Sequence, residues 1–129
     1  MREILFRGKD FSGVINHSWC FGSLDTTEDD IAIIIYPDRF GNKCQIFVNP
    51  ETVGQYTGLK DKNGTKIFEG DIVLLKGYDE PCQVVFDESC FQVYSDSVRY
   101  AMDNFYDYEI EVIGNIYDNK LEDFNNGTC

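Results

Sequence analysis

Val53–Leu75, VGQYTGLKDKNGTKIFEGDIVLL, is the stretch that decides the fold. Asp61-Lys62-Asn63-Gly64 is a polar cluster between two apolar runs. Asn63-Gly64 is the pair favoured in a two-residue type I′ turn, because both central residues need positive φ. Tyr56, Thr57 and Leu59 lie before the turn, and Thr65, Ile67 and Phe68 after it. Such β-branched and aromatic residues suit a pleated, half-buried surface. A hairpin is therefore expected. Gly70-Asp71 breaks the run, and Ile72-Val73-Leu74-Leu75 follows. Four adjacent apolar residues suggest a strand buried on both faces, although periodicity alone does not separate this from a helix.

Working outward, most of the chain reads as strands. Ile4–Arg7 is a short first strand, and Ser18–Leu24 alternates weakly around Trp19 and Phe21. Asp25–Asp30 is an acidic turn or a helix start, with Thr26 or Thr27 as cap. Ile31–Tyr36 is a strong strand closed by Pro37-Asp38, and Gly41-Asn42 turns it into Cys44–Val48. Beyond the central hairpin, Ile72–Leu75, Cys82–Phe86 and Phe91–Tyr94 are strands, with a turn expected at Asp87-Glu88-Ser89. Val98, Ala101, Met102 and Phe105 recur at helical spacing, so Ser97–Tyr106 reads as a short helix or helical loop. Glu109–Tyr117 is the last strand, bent or bulged at Gly114, and the tail after Leu121 is expected to fray. The core candidates are Tyr56, Ile67, Ile72, Leu74, Val84, Phe86, Val93, Val112 and Ile116. Strands at this spacing predict a mainly β fold with minor α, a small barrel or sandwich. The barrel spans roughly 54–117, and the N-terminal strands cover a face or an opening.

Three blocks of this sequence resemble the signature of the YopX family, small proteins of phages and prophages. The first is Arg2-Glu3-Ile4-Leu5-Phe6-Arg7-Gly8-Lys9, with Trp19 downstream. The second runs from Pro50 through Gly54-Gln55-Tyr56-Thr57-Gly58-Leu59 and Asp61-Lys62-Asn63-Gly64 to Phe68-Glu69-Gly70-Asp71-Ile72-Val73. The third is Glu111-Val112-Ile113-Gly114-Asn115-Ile116-Tyr117-Asp118-Asn119. Their order and spacing span almost the whole chain. The chain departs from the pattern at Lys120, where similar proteins often carry Pro, which leaves open only the form of the C-terminal tail. The resemblance implies a phage origin, an SH3-like barrel and no assigned reaction, so it transfers no catalytic residues. Its signature positions here are structural: Tyr56, Gly58, Asn63, Gly64, Gly70, Asp71, Gly114 and Asn115.

At 129 residues the chain is expected to form one unit. It subdivides into an N-terminal β region (1–50), an SH3-like barrel (51–119) and a flexible tail (120–129). Ten Phe, eight Tyr and one Trp argue against disorder.

Charge narrows the function classes. Residues 1–65 carry seven Lys/Arg against nine Asp/Glu, a net of −2; residues 66–129 carry four against fourteen, a net of −10. Such a surface repels phosphates, which disfavours direct binding to nucleic acid and to anionic membranes. Acidity for solubility is the plain reading; a patch that copies DNA phosphates or docks on a basic host protein is the sharper one. The five cysteines, Cys20, Cys44, Cys82, Cys90 and Cys129, are odd in number and form no Cys-x-x-Cys pair. They fit free thiols in a reducing compartment, with Cys20 and Cys44 buried and Cys82 and Cys90 able to face each other across a hairpin. Without an apolar N-terminal segment or a membrane-length run, the cytoplasm of the bacterial host is the expected location.

Chemistry-bearing motifs are few. No nucleophile elbow, P-loop, dinucleotide-binding Gly pattern or His-Glu-x-x-His occurs, and no metal or cofactor is expected. Asp61-Lys62-Asn63-Gly64 superficially resembles a calcium loop, but its Gly stands at position four where an EF-hand needs it at six. Glu69 and Asp71 form a carboxylate pair around Gly70, better read as turn-capping acids. His17 lacks a Cys or Ser partner in sequence. The candidate interaction surface is Tyr100, Phe105, Tyr106 and Tyr108 with Asp103 and Asp107. Aromatics interleaved with acids point to a protein-facing or self-associating surface; the plainer reading places half in the core and the rest singly on the surface. The leading expectation is a non-enzymatic phage or prophage accessory module that binds a protein partner or forms homo-oligomers. An acidic, nucleic-acid-mimicking inhibitor of a host factor comes second. A small enzyme with Glu69 and Asp71 at a Mg2+- or Mn2+-assisted site comes third.

Overall fold

The computed structural model describes residues 4–13, 18–27 and 29–118. His17, Cys129, Asn119, Lys120 and the tail lie outside the described residues. The fold is mainly β, as expected, with two antiparallel sheets. The chain divides into two compact units, Met1–Tyr56 and Thr57–Cys129. The division falls inside β5, six residues beyond Pro50.

The N-terminal unit is a meander of β1 (Phe6–Lys9), β2 (Trp19–Thr26), β3 (Ala32–Pro37) and β4 (Lys43–Val48), followed by the start of β5 (Gly54–Lys60), which pairs with β1. Alternation places Ala32, Ile34, Ile46 and Val48 inward with Cys20, and leaves Phe47 exposed. Ile34 stands opposite both Leu24 and Ile46, so the three side chains form one row of the core. The meander curls until the end of β4 meets the end of β1. Asp10 bridges Val48, the Phe11 N–H donates to Phe47 O (2.9 Å), and the Asn49 N–H donates to Lys9 O (2.8 Å). Glycine at position 8 permits this approach, since a Cβ there would lie 2.7 Å from Val48 Cγ2. A 3-10 turn at Pro50–Thr52 locks the exit. Asn49 Oδ1 accepts from Glu51 N–H, and the Thr52 hydroxyl donates to Asn49 O while accepting from Lys9 N–H.

In the second unit the end of β5 turns into β6 (Lys66–Phe68), and a five-stranded sheet follows. Its strands are β7 (Asp71–Leu75), β8 (Cys82–Asp87), β9 (Cys90–Tyr94), β10 (Arg99–Ala101) and β11 (Ile110–Asn115). They stand in the order β10-β9-β8-β7-β11, a meander whose last strand returns beside its first. The described ladders include none between β10 and β11, so closure into an SH3-like barrel goes beyond these pairings. β7 is an interior strand flanked by β8 and β11, and Ile72, Val73 and Leu75 are buried, which accounts for its unbroken apolar run. Ile67, Val73, Leu75, Val84, Phe91, Val93, Met102 and Ile110 form the core with Cys82. Full burial of each large side chain is worth roughly 1.5–3 kcal/mol.

Several expectations are corrected here. The central hairpin is not a type I′ turn, because Asn63 keeps negative φ and only Gly64 enters the left-handed region (φ 81°). The Asp61 carboxylate accepts from Asn63 N–H and Thr65 N–H and stabilises a longer connection instead. The type I′ signature of two consecutive positive φ values occurs at Glu88 (49°) and Ser89 (66°), in the tight turn joining Asp87 to Cys90. Ser97–Tyr106, expected as a short helix or helical loop, starts as β10 paired with β9 and is helical only in a 3-10 turn at Met102–Asn104, with a second 3-10 turn following at Asp107–Glu109. Val98, Met102 and Phe105 do pack on the core, so their spacing marks burial, while cross-strand pairing sets the backbone. Asp25–Asp30 contains a turn in which Thr27 Oγ1 accepts from Asp29 N–H and Ile31 N–H. Phe86, a core candidate, is 51% exposed, because β8 runs beyond the core as it nears its turn. Leu74, Val112 and Ile116 are half-buried, whereas Tyr56, Ile67, Ile72, Val84 and Val93 are buried. Cys44 is only half-buried. Cys82 and Cys90 do not face each other, since they sit at opposite ends of the β8–β9 hairpin. The bulge expected at Gly114 is present, as a register shift between Val112 and Gly114.

Candidate functional site

The segment between β10 and β11 sorts its aromatics by direction. The 3-10 turn at Met102–Asn104 closes with Phe105 N–H donating to Met102 O (3.1 Å). This places Phe105 against the core, where its ring meets Tyr100 edge-on at 5.8 Å and 74°. The next turn is fixed reciprocally. Glu109 N–H donates to Tyr106 O (2.9 Å), and Tyr106 N–H donates to Glu109 Oε1 (2.9 Å). The pairing holds Tyr106 and Tyr108 on the same side, their rings 5.5 Å apart and 5° from parallel.

These two rings are 67% and 59% exposed. Asp103 and Asp107 are exposed nearby in sequence, and Asp107 Oδ1 accepts from Tyr108 N–H (3.2 Å). Of the six proposed surface residues, Tyr106, Tyr108, Asp103 and Asp107 face solvent, whereas Tyr100 and Phe105 are half-buried on the core. The exposed pair is stacked rather than scattered singly.

Two residues that the sequence places in the loop after Leu75, outside the candidate surface, complete it. Lys76 N–H donates to Glu109 O (2.8 Å), and its ammonium lies 5.7 Å from the Tyr108 ring centroid. The Tyr78 hydroxyl donates to the Tyr100 hydroxyl (3.3 Å). That hydrogen bond, with repulsion between the two phenols, pushes the Tyr78 pKa above its ordinary value. Lys76 and Tyr78 belong to the β7–β8 connection and meet this segment only through the fold, so no local spacing could have marked them. A hollow of about 370 Å3 lies here, with Lys62, Lys76, Tyr78 and Tyr108 among its lining.

Asp71 and Asn115 each hold a turn. Asp71 is 2% exposed, and its Oδ2 accepts from Phe68 N–H (2.7 Å) across the turn at Gly70 (φ 94°). Asn115 Oδ1 accepts from Tyr117 N–H and Asp118 N–H, fixing the turn after β11. Gly58 (φ 91°) sits within β5, and Tyr56 is buried. Burial raises the thiol pKa of Cys20, with Asp10 adding to it, and burial likewise raises that of Cys82, so both stay protonated near neutrality. Among the described residues, no group of three or more His, Cys, Asp or Glu is placed to hold a metal ion. No described helix is long and apolar enough to cross a membrane.

Comparison with known proteins agrees with the fold. Residues 6–122 match the model of a family described as YopX protein. Two solved structures are similar over 92% of this chain and 96% of theirs. One is the protein yopX from Bacillus subtilis, at 16% identity and a TM-score of 0.60. The other is a protein from Enterococcus faecalis, at 22% identity and a TM-score of 0.55. At these identities the likeness concerns the fold alone. No curated protein matches the chain.

Proposed function

The chain belongs to the YopX family, and from that premise we propose that it is a non-enzymatic accessory module of phage or prophage origin. It acts in the bacterial cytoplasm by binding a basic protein segment. The observation that carries this reading is the parallel, exposed Tyr106–Tyr108 stack, with exposed Asp103 and Asp107 close to it in sequence. Tyrosines supply large contact area at low entropic cost, and a ring face attracts Arg or Lys. Lys76 above Tyr108 is a cation on such a face within the protein itself. The net charge of −10 over residues 66–129 adds long-range attraction for a basic partner.

The test is affinity capture from host lysate with the wild-type chain and with the Tyr106→Ala/Tyr108→Ala double variant, with and without added DNA. A stoichiometric basic protein captured by wild type and lost with the double variant supports the proposal. Capture unchanged by the double variant and by high salt counts against it, as does recovery of the bait alone, which favours self-assembly.

A second reading is favoured by the same charge: an acidic inhibitor that occupies the nucleic-acid site of a host factor. It predicts that added DNA displaces the captured partner.

A further inference from the structure

The β3–β4 hairpin of the N-terminal unit carries different surfaces at its two ends. At its turn stands Phe40, the most exposed large apolar side chain among the described residues, at 76%. Asp38 Oδ1 accepts from Phe40 N–H (2.8 Å), which fixes the backbone that presents the ring. The Arg39 guanidinium lies 5.0 Å from the ring centroid, and Arg39 and Lys43 are both exposed at this end.

At the other end, where β3 begins and β4 ends, lies a hollow of about 470 Å3. Phe11, Ile31, Ala32, Phe47, Val48 and Pro50 line it, and its surface is almost wholly apolar. Phe11, Phe47 and Ile31 remain 67%, 52% and 41% exposed. Large apolar side chains converging on one open concavity mark a binding site more often than an ordinary surface. The β2–β3 loop enters the hollow's border at Ile31, and it carries exposed Asp29 and Asp30. Two bonds hold this loop: Asp30 N–H donates to Thr27 O (3.1 Å), and Thr27 N–H donates to Ile31 O (3.0 Å).

We infer that the hollow receives Phe40 of a second copy of this chain. An aromatic ring matches an apolar lining and brings no polar group that would lose its water there. Charge complements shape, since the ring is flanked by Arg39 and Lys43 and the hollow is bordered by an acidic loop. The contact is between copies: β3 and β4 pair from Ala32↔Val48 to Pro37↔Lys43, and the six residues of β3 hold the two ends roughly 20 Å apart. The two patches are different surfaces, so the contact is heterologous. A copy that accepts a ring still presents its own, and assembly proceeds head to tail into a ring or a filament. This inference lies wholly in the N-terminal unit and is independent of the tyrosine surface in the other.

Sedimentation equilibrium of the full-length protein, with reductant present to keep its cysteines free, tests the contact. The wild-type mass should rise with concentration past that of a dimer. Phe40→Ser removes the ring and Phe47→Ser opens a wall of the hollow; each variant alone should be monomeric. Both replace exposed side chains, and their circular dichroism should match wild type. An equimolar mixture of the two variants should form a dimer and stop there, because only one complementary pair of surfaces remains. The inference is overturned by a wild-type protein that stays monomeric into the millimolar range, by association that survives Phe40→Ser, or by folded variants that fail to pair when mixed.

Discussion

Asp38 and Asp61 each begin a five-residue turn that closes a hairpin, one in each unit, and the two turns are bonded alike. Asp38 N–H donates to Asn42 O (2.8 Å), Gly41 N–H donates to Asp38 O (3.0 Å), and Asp38 Oδ1 accepts from Phe40 N–H and Asn42 N–H, both at 2.8 Å. Asp61 N–H donates to Thr65 O (2.8 Å), Gly64 N–H donates to Asp61 O (3.0 Å), and Asp61 Oδ1 accepts from Asn63 N–H and Thr65 N–H, both at 2.9 Å. The difference lies in the second carboxylate oxygen. Asp61 Oδ2 accepts from Val112 N–H (2.9 Å), 51 residues away on β11. One turn is a local device; the other also fastens a strand. The same five-residue grammar thus carries two structural weights, and the pentapeptide does not reveal which.

The comparison breaks most clearly by removing the carboxylates. Asp61→Ala should cost about 3 kcal/mol, since it strands partly buried N–H donors, and it should expose the Val112 amide to hydrogen exchange. Asp38→Ala should cost less, with faster exchange confined to residues 40–42. Comparable losses in the two variants would mean that the bond to Val112 contributes little.

Acid titration sharpens the same contrast. Burial alone would raise the Asp61 pKa, but bonds from Val112, Thr65 and Asn63, with Lys62 nearby, more than offset it and hold the carboxyl below its ordinary value. Asp38 is also lowered, first by the Asn42 N–H. A carboxylate with a depressed folded pKa contributes stability that is fully present above its unfolded value, near 3.9, and is lost as pH falls through the folded value. Val112 exchange protection should therefore drop below about pH 4 in the wild-type protein. In Asp61→Asn, protection should start lower and lack that acid-sensitive step.

The glycines test whether the two turns share one backbone. Gly41 and Gly64 have φ of 83° and 81°, with open space where a Cβ would project. Alanine in the left-handed region costs about 1–2 kcal/mol, while stiffening the unfolded chain returns about 0.4–1. Gly41→Ala and Gly64→Ala should each lose roughly 0.5–1 kcal/mol, equally within error, by denaturant titration. A much larger loss at Gly64 would place the tertiary anchor in the backbone rather than in the carboxylate.

How much of this was legible depends on where each partner lies in sequence. Asn63-Gly64 correctly announced a turn, but the choice between a two-residue and a longer connection belonged to the Asp61 side chain, which the dipeptide preference ignores. Conversely, Glu88-Ser89 carries no Gly or Asn and adopts two positive φ values, because strand pairing from Gln83↔Tyr94 through Asp87↔Cys90 imposes the tight turn. The run Ile72–Leu75 was readable because burial on both faces leaves its mark in adjacent residues. Within the candidate surface, Tyr106 and Tyr108 were visible as neighbours, and their stacking followed from one local turn. Lys76 was not visible, because β7–β11 pairing brings it there.

A third copy of the turn begins at Thr27 and tests the grammar at its weakest. Thr27 Oγ1 accepts from Asp29 N–H and Ile31 N–H at 3.3 Å each, longer than either aspartate turn. Asp30 occupies the left-handed position that Gly41 and Gly64 fill elsewhere. Asp30→Gly should relieve about 1–2 kcal/mol of backbone strain against about 0.4–1 of added unfolded-state entropy. The net is a stabilisation on the order of 0.5 kcal/mol, measurable as a raised denaturant midpoint. Asp30→Asn should be near neutral, since Asn tolerates the same φ. If glycine instead destabilises this turn, the third copy is held by contacts of the Asp30 side chain, and its likeness to the other two ends at the backbone.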